Sequence, residues 1–474
     1  MSLKGKSNFQ KRLADFLAGK VSCEKVVGNF LSTINANKHL NAYVEVYEEE
    51  AKQKASILDS KPKEQLGKFA GMVVGIKDLI CYKGHAVQAS SKILDGFVSH
   101  ISATVVDRLL ENDAIIIGRQ NCDEFGMGSS NENSIFGPVL NNFDHSKSPG
   151  GSSGGGAVAV QANMCDVSIG TDTGGSVRQP AAFCGIVGLR PTYSRVSRYG
   201  LIEHASSFDT IGIMANNVVD CANVLSKIAG KDQFDNTVSS RAVPDYENLL
   251  SVNSKFKIAY IADALEYKNL QPEVRANTFN VINKLKAEGH SVHAIRFDLL
   301  DYLLPTYYVL TSAEASSNLS RYDGVRFGYR SNDSLDVESM YLNSRSAGFG
   351  KEVKKRILLG NFILSSDYYD SYYTKAQKVR MLIKEKTDAL FSNYDFLILP
   401  TTPSTAFPLY KERDSVDVYL EDLYTVYAAL VGLPAISIPN GTDADNMPVG
   451  LQIMSAAFTE DRLLAFANYL FNAA

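Results

Sequence analysis

An α/β protein with an N-terminal helical segment is the predicted fold class, and three features of the sequence predict it. The first 60 residues carry Phe16, Val26, Phe30, Leu31 and Ile34 at helical spacings, the pattern of apolar stripes on helices. From Gly71 onward, short apolar runs alternate with amphipathic stretches, as strands interleaved with helices do. Between Lys257 and Phe297 the alternation returns as IAYIAD, PEVRANTFNVINKLKAEG and SVHAIRF, a strand, a helix and a second strand.

Residues 1–65 form the expected helical segment, and residues 66–474 the α/β unit that follows it. Strands are expected at Val73–Ile76, Ala114–Ile117, Val167–Gly170 and Ile186–Leu189, apolar runs too short for a helix. Helices are expected at Ala103–Glu111 and Gly155–Asn163. Asp232–Ser254 is polar and irregular, the best candidate for a linker. Leu423–Thr442 is uncharged over a membrane-like length. Gly432, Pro434 and Pro439 divide it into a helix and a short strand, so no membrane span is expected.

Composition narrows the class of activity. With 45% hydrophobic and 21% charged residues the chain is ordinary for a globular protein, and its net charge of −4 argues against a broad nucleic-acid-binding face. Any RNA contact is expected through a partner. Six cysteines, at 23, 81, 122, 165, 184 and 221, form neither a CxxC nor a metal-ligand spacing. They read as reduced thiols, no metal is expected, and the first 20 residues lack the apolar core of a signal peptide; all this suits a cytoplasmic protein.

The most informative stretch runs from Lys147 to Arg178. Ser148–Gly156 packs five glycines and three serines into nine residues, and Thr171-Asp-Thr-Gly-Gly-Ser176 echoes it. Three readings compete. Ordinary turns need fewer glycines. A phosphate cradle needs a Gly-Lys-Ser/Thr step, but Gly155-Gly156 is followed by Ala157. A serine hydrolase fits GxSxG formally at Gly151–Gly155, although the elbow serine of that motif follows a strand and Asn141–Pro149 is polar turn material.

A serine nucleophile needs a base. Of the seven histidines (39, 85, 100, 145, 204, 290 and 293), none is convincingly placed: His145 lies in a polar loop, and His290 and His293 flank a strand. Lys77 is the better candidate because it interrupts the apolar run Gly71–Ile80. A lysine buried there must pair, with Asp78 as the adjacent option, or lose its proton. Moving its pKa from ~10.4 to ~7 costs about 4–5 kcal/mol. Neutral, it is a base.

GGSSGG, then GTDTGGSVRQPAAFCGIVGLRPT, with VGIKD upstream, together resemble the amidase signature family. The resemblance runs on through Tyr193–Leu201, Ala313–Val325 and Val353–Ile357, nearly the whole chain, and within that family it is to the A subunits of glutamyl-tRNA(Gln) amidotransferases. It implies a single large mixed β-sheet flanked by helical layers, and a Ser–Ser–Lys triad. Here that means Ser176 as nucleophile, Ser152 as relay, behind a cis Gly151–Ser152 peptide, and Lys77 as general base. Backbone N–H groups of Thr173, Gly174, Gly175 and Ser176 would receive the oxyanion. The resemblance further implies glutamine as substrate, with Arg356 on its α-carboxylate, Asp422 on its α-ammonium and Tyr307 lining the pocket. On the residues alone, Arg356 could equally sit on a solvated helix face and Asp422 could cap a helix.

The partners implied are the B and C subunits of a heterotrimer, with Glu-tRNA(Gln) held mainly by B. No cofactor is expected on this chain, ATP and Mg being used on the B subunit. Gly156 and Ile213 depart from the family pattern, which more often has serine and proline there. Two other readings stay open: a free-standing amidase acting on another carboxamide, and a non-catalytic anion-binding module.

Overall fold

The computed structural model, which describes residues 7–252, 254–410 and 419–473, begins with α1 (Asn8–Leu17) and α2 (Cys23–Ala36). Each helix is opened by a serine, Ser7 or Ser22, whose hydroxyl accepts a backbone N–H three residues on. A strand, β1 (Tyr43–Val46), and a third helix, α3 (Glu48–Ser60), complete the N-terminal segment. The segment is therefore not wholly helical. Four residues are too few for their period to separate strand from helix in sequence.

The first half continues with β2 (Val73–Lys77), α4 (Thr104–Glu111), β3 (Ile115–Gln120), α5 (Gly154–Gln161), β4 (Val167–Asp172) and α6 (Arg178–Phe183). After these come β5 (Val187–Arg190), β6 (Thr210–Ala215) and α7 (Val218–Ile228). The second half contains β7 (Lys257–Ile261), α8 (Ala262–Leu265), α9 (Pro272–Ala287), β8 (Ser291–Ile295), α10 (Leu300–Asn318), α11 (Val337–Gly348), α12 (Lys351–Leu364) and α13 (Lys375–Phe391). It closes with β9 (Phe396–Pro400), α14 (Thr425–Val431), β10 (Ala435–Thr442), β11 (Pro448–Ser455) and α15 (Glu460–Ala473). Each strand and helix expected from sequence is present, with ends moved by a few residues. The stretch expected as a linker is anchored: Tyr246 is buried, and its hydroxyl accepts the Arg195 guanidinium at 2.6 and 2.8 Å.

All eleven strands form one mixed sheet in the order β1-β3-β2-β4-β6-β5-β10-β11-β9-β7-β8. Strand β2 runs parallel to both β3 and β4, while β4, β6, β5, β10, β11 and β9 are joined by antiparallel pairings. Successive side chains point to opposite faces, and both faces are buried. Val73, Ile115 and Ile117 pack with α2, α3 and α5, whereas Val74, Ile76 and Ile116 join the larger core under α7, α9, α10 and α15.

Of the two departures from the family pattern, the one at Gly156 has a local reason. A Cβ on Gly156 would lie 2.3 Å from the Ser168 hydroxyl, which donates to Gln120 at 2.6 Å, so a serine does not fit. Ile213 is fully buried in the larger core.

Candidate active site

Parallel pairing of β2 with β4, Gly75 beside Ser168 and Ile76 beside Ile169, sets the end of β2 next to the end of β4. Lys77 is the last residue of β2 and is 1% exposed. Its Nζ donates to Ser152 Oγ at 2.6 Å, Ser153 Oγ at 2.9 Å and Thr171 Oγ1 at 2.9 Å. Burial lowers its pKa, against the opposing pull of Cys122, Asp123, Asp172 and Asp209. Asp78 is not its partner. That carboxylate accepts Arg119 at 2.7 Å and the backbone N–H groups of Gln88 and Ser90.

The peptide between Gly151 and Ser152 is cis. The Ser152 carbonyl accepts the Asp123 N–H at 3.0 Å, and the Asp123 carboxylate accepts the backbone N–H groups of Asn131 and Asn133. Burial pushes Asp123 up to about 7. Ser176 lies across from this pair: its carbonyl accepts the Ser153 N–H at 3.2 Å, and the residue is 8% exposed. Among the described residues the hydrogen bonds of Lys77 go to Ser152, Ser153 and Thr171, and none goes to Ser176.

The turn Thr173–Ser176 is fitted to its surroundings. A Cβ on Gly174 would lie 2.4 Å from the Tyr307 hydroxyl, and one on Gly175, at φ +147°, would lie 2.2 Å from Thr425 Oγ1. Only glycine fits either place. Beneath the turn, Asp172 receives Arg178 at 2.8 and 3.0 Å and Arg190 at 3.0 Å, all three side chains being fully buried. Burial alone would raise the Asp172 pKa, but the two guanidinium groups outweigh it and hold the carboxyl well below the usual range. Thr173 Oγ1 donates at 2.6 Å to Asp209, whose other oxygen accepts the N–H groups of His204 and Ala205.

No histidine among the described residues bonds to Ser152 or Ser176. His145 stacks edge-on against His39, and His290 Nδ1 accepts the Phe256 N–H. His204 comes nearest to the site. It is buried with neither ring nitrogen hydrogen-bonded, and burial, then Arg356 and Lys77, press its pKa well below 6.5.

Arg356 and Asp422 meet around one tyrosine. The Arg356 guanidinium lies 5.1 Å from the Tyr308 ring centroid and donates to Glu352 at 2.9 Å, while the Tyr308 hydroxyl donates to Asp422 at 2.7 Å. Ser129 Oγ lies 2.9 Å from both Asp422 oxygens. Arg356 is buried, which removes the solvated-face alternative, and the Asp422 carboxylate caps no helix. Burial works against the Arg356 charge, but Tyr308, Glu352, Tyr307 and Tyr419 outweigh it and raise its pKa. Burial pushes Asp422 up to about 6. The group opens on a cleft of about 190 Å³ lined by Ser129, Glu132, Tyr308, Lys355, Arg356 and Tyr419.

Sequence reasoning does not single out Tyr308, Ser129 or Glu352. Tyr307 and Tyr308 are about 100° apart on α10, so one faces the Gly174 turn and its neighbour the Arg356–Asp422 pair. The glycine- and serine-rich run Gly126–Ser134 is the available signal for Ser129.

Among the described residues no three His, Cys, Asp or Glu side chains are grouped to hold a metal ion, no helix is long and apolar enough to cross a membrane, and all six cysteines are free and buried. The site can support acyl transfer with serine, lysine and backbone N–H groups.

Comparison with known proteins follows the same line. The amidase family model matches residues 25–464. The A subunit of glutamyl-tRNA(Gln) amidotransferase from Chlorobium phaeobacteroides is 46% identical over 465 residues, covering 97% of each chain. The crystal structure of its counterpart from Thermotoga maritima superposes with a TM-score of 0.78 at 36% identity, over 95% of this chain and 92% of that one. Peptide amidase from Stenotrophomonas maltophilia gives 0.82 at 27% identity, over 99% and 97%.

Proposed function

Because the chain belongs to the amidase family, we propose that it is the glutamine-hydrolysing A subunit of a glutamyl-tRNA(Gln) amidotransferase. It releases ammonia for the conversion of Glu-tRNA(Gln) to Gln-tRNA(Gln). The observation that carries this reading is the pairing of two constellations: Lys77 on Ser152 at 2.6 Å, and a buried Arg356–Asp422 pair sharing Tyr308. The first suits amide hydrolysis in general. The second suits an amide that also bears a carboxylate and an ammonium.

Neutral Lys77 takes the Ser152 proton as Ser152 takes that of Ser176, and Ser176 Oγ attacks the glutamine side-chain carbonyl carbon. The oxyanion forms against the N–H groups of Thr173–Ser176, each such donor contributing roughly 3 kcal/mol in comparable sites. The intermediate collapses with C–N cleavage. The proton held by Lys77 returns through Ser152 to the departing nitrogen, which leaves as ammonia. Water then attacks the glutamyl ester, by the same relay, and glutamate is released.

The B and C subunits complete the assembly in this reading, which places it in the cytoplasm. B holds Glu-tRNA(Gln) and uses ATP and Mg to activate the glutamyl group. A free-standing amidase acting on an apolar carboxamide would have no use for both buried charges.

The test combines the purified chain with its B and C partners, ATP and Glu-tRNA(Gln). Glutamine should drive Gln-tRNA(Gln) formation, and Ser176→Ala should abolish this while added ammonia still supports it. Hydrolysis of apolar amides with glutamine ignored would refute the reading.

A further inference from the structure

Gln179 is fully buried in the first turn of α6, just past Ser176. Its side-chain amide is used at both ends: Oε1 accepts the Gly151 N–H at 2.8 Å, and Nε2 donates to the Ser129 carbonyl at 3.0 Å. Gly151 offers an N–H and Ser129 a carbonyl, so the bridge needs a side chain that accepts at one end and donates at the other. A Cβ on Gly150 would lie 2.8 Å from the same amide oxygen, so glycine there leaves the amide its place. The Gln179 backbone N–H in turn donates to the Gly175 carbonyl at 2.8 Å.

The residues joined in this way serve different tasks. Gly151 precedes Ser152 on one side of the reaction centre, and Gly175 belongs to the turn placed to receive the oxyanion. Ser129 Oγ lies 2.9 Å from both oxygens of Asp422, the carboxylate assigned to the substrate ammonium. Later residues of the Ser129 loop are tied down separately: Ser148 Oγ donates to the Ser130 carbonyl at 2.8 Å, and the Asp123 carboxylate accepts the N–H groups of Asn131 and Asn133. Gln179 holds Ser129 itself, the residue that touches Asp422.

Such a bridge controls spacing. Glutamine and asparagine carry the same ammonium, carboxylate and carboxamide and differ by one methylene between them, so a site that grips the ammonium tells them apart by the distance from clamp to nucleophile. We propose that Gln179 is a specificity-determining positioning residue: by holding Ser129 against the peptide that precedes Ser152, it fixes that distance and selects glutamine over asparagine. This rests on the reading of Arg356 and Asp422 as the clamp for an amino-acid amide. A misplacement of about 1 Å at a reacting centre costs on the order of a hundredfold in rate, enough to separate the two substrates.

The experiment assembles the full chain with its B and C partners and measures kcat/KM for ammonia release from glutamine and from asparagine. Labelling of Ser176 by a small activated acyl probe checks that each variant is folded. The readout is the ratio of the two kcat/KM values, which a smaller fraction of folded enzyme leaves unchanged. Gln179→Met, of similar length but without either amide hydrogen bond, should lower the ratio roughly tenfold or more. Gln179→Glu keeps the acceptor for Gly151 but donates to Ser129 only while protonated, so its ratio should fall as pH rises, against a flat profile for the parent. Ser129→Ala should lower the ratio too, and adding Gln179→Met to it should lower the ratio no further, because the two act in series.

A ratio that stays at the parent value in every folded variant overturns the proposal, even where both rates fall together, since Gln179 would then serve the fold alone. Additive losses in the double variant overturn it as well, because Gln179 would not be acting through Ser129. If the parent complex releases ammonia from neither amino acid, the functional reading itself falls, so the two failures are told apart.

Discussion

Lys77 has three hydrogen-bonding partners, all hydroxyls, and the shortest contact is to Ser152. As an ammonium it donates to all three; as an amine it donates to two and accepts from the third. Since burial favours the amine, acylation should rise with pH through a pKa well below that of a free lysine. Asp422 adds a second requirement, because only its carboxylate can hold an ammonium. Its raised value of about 6 means that glutamine binding weakens as pH falls through that value, while an acyl probe lacking an ammonium should show the Lys77 limb alone. Identical profiles for glutamine and probe would refute the Asp422 assignment. Lys77→Ala should slow acylation roughly 10²- to 10⁴-fold in a folded protein; near-normal turnover would return the search to a histidine, with His204 the first to test. Arg356→Ala or Asp422→Ala should each cost about 2–5 kcal/mol in kcat/KM for glutamine and leave probe labelling intact. The approach of Lys77 to the first glycine–serine cluster was partly legible, because a lysine interrupting an apolar run and a dense glycine–serine cluster are both unusual, whereas the roles of Ser152 and Ser176 came only from the family resemblance. Tyr308 was not legible, since one aromatic on a buried helix looks like its neighbour until packing decides which faces the site.

At the scale of elements, the Thr173–Ser176 turn is held from beneath by charge and from above by packing. Asp172 ends β4, Arg178 opens α6 and Arg190 ends β5, so one carboxylate joins three elements. Asp172→Asn leaves two buried guanidinium groups short of their counter-ion and should destabilise the protein by about 3–5 kcal/mol, read as a lower denaturation midpoint. A change below about 1 kcal/mol, the size expected of an exposed pair, would show that the trio is not structural. The native carboxyl is depressed, so its contribution is complete above the unfolded value of about 4 and is lost only as pH falls toward the folded one. Neutral-range titration does not touch it. Strands such as Val73–Lys77 were legible because both faces are buried and the sequence shows a nearly unbroken apolar run. Tyr43–Val46 was hidden because its half-buried residues pair at the sheet edge and have no core on both sides to enforce the pattern.

Over the whole molecule, Lys77, Ser152 and Ser176 come from the first 180 residues, and Tyr307, Tyr308, Arg356 and Asp422 from the last 170. The alternation of elements made an α/β class legible. The strand order was not, because pairing between distant segments leaves no local mark in composition or period. That order bears on how the chain is made. Strands β10 and β11, residues 435–455, stand between β5 and β9 in the middle of the sheet. A chain emerging from the ribosome exposes the free edges of β5 and β9 until residues 435–455 have followed. Open edges of this kind recruit other chains, and late, long-range pairing is slow. Ribosomal stalling or a premature stop before residue 435 would therefore release two half-sheets with the Lys77–Ser152–Ser176 segment already made, a product suited to aggregation and to capture by chaperones rather than to catalysis.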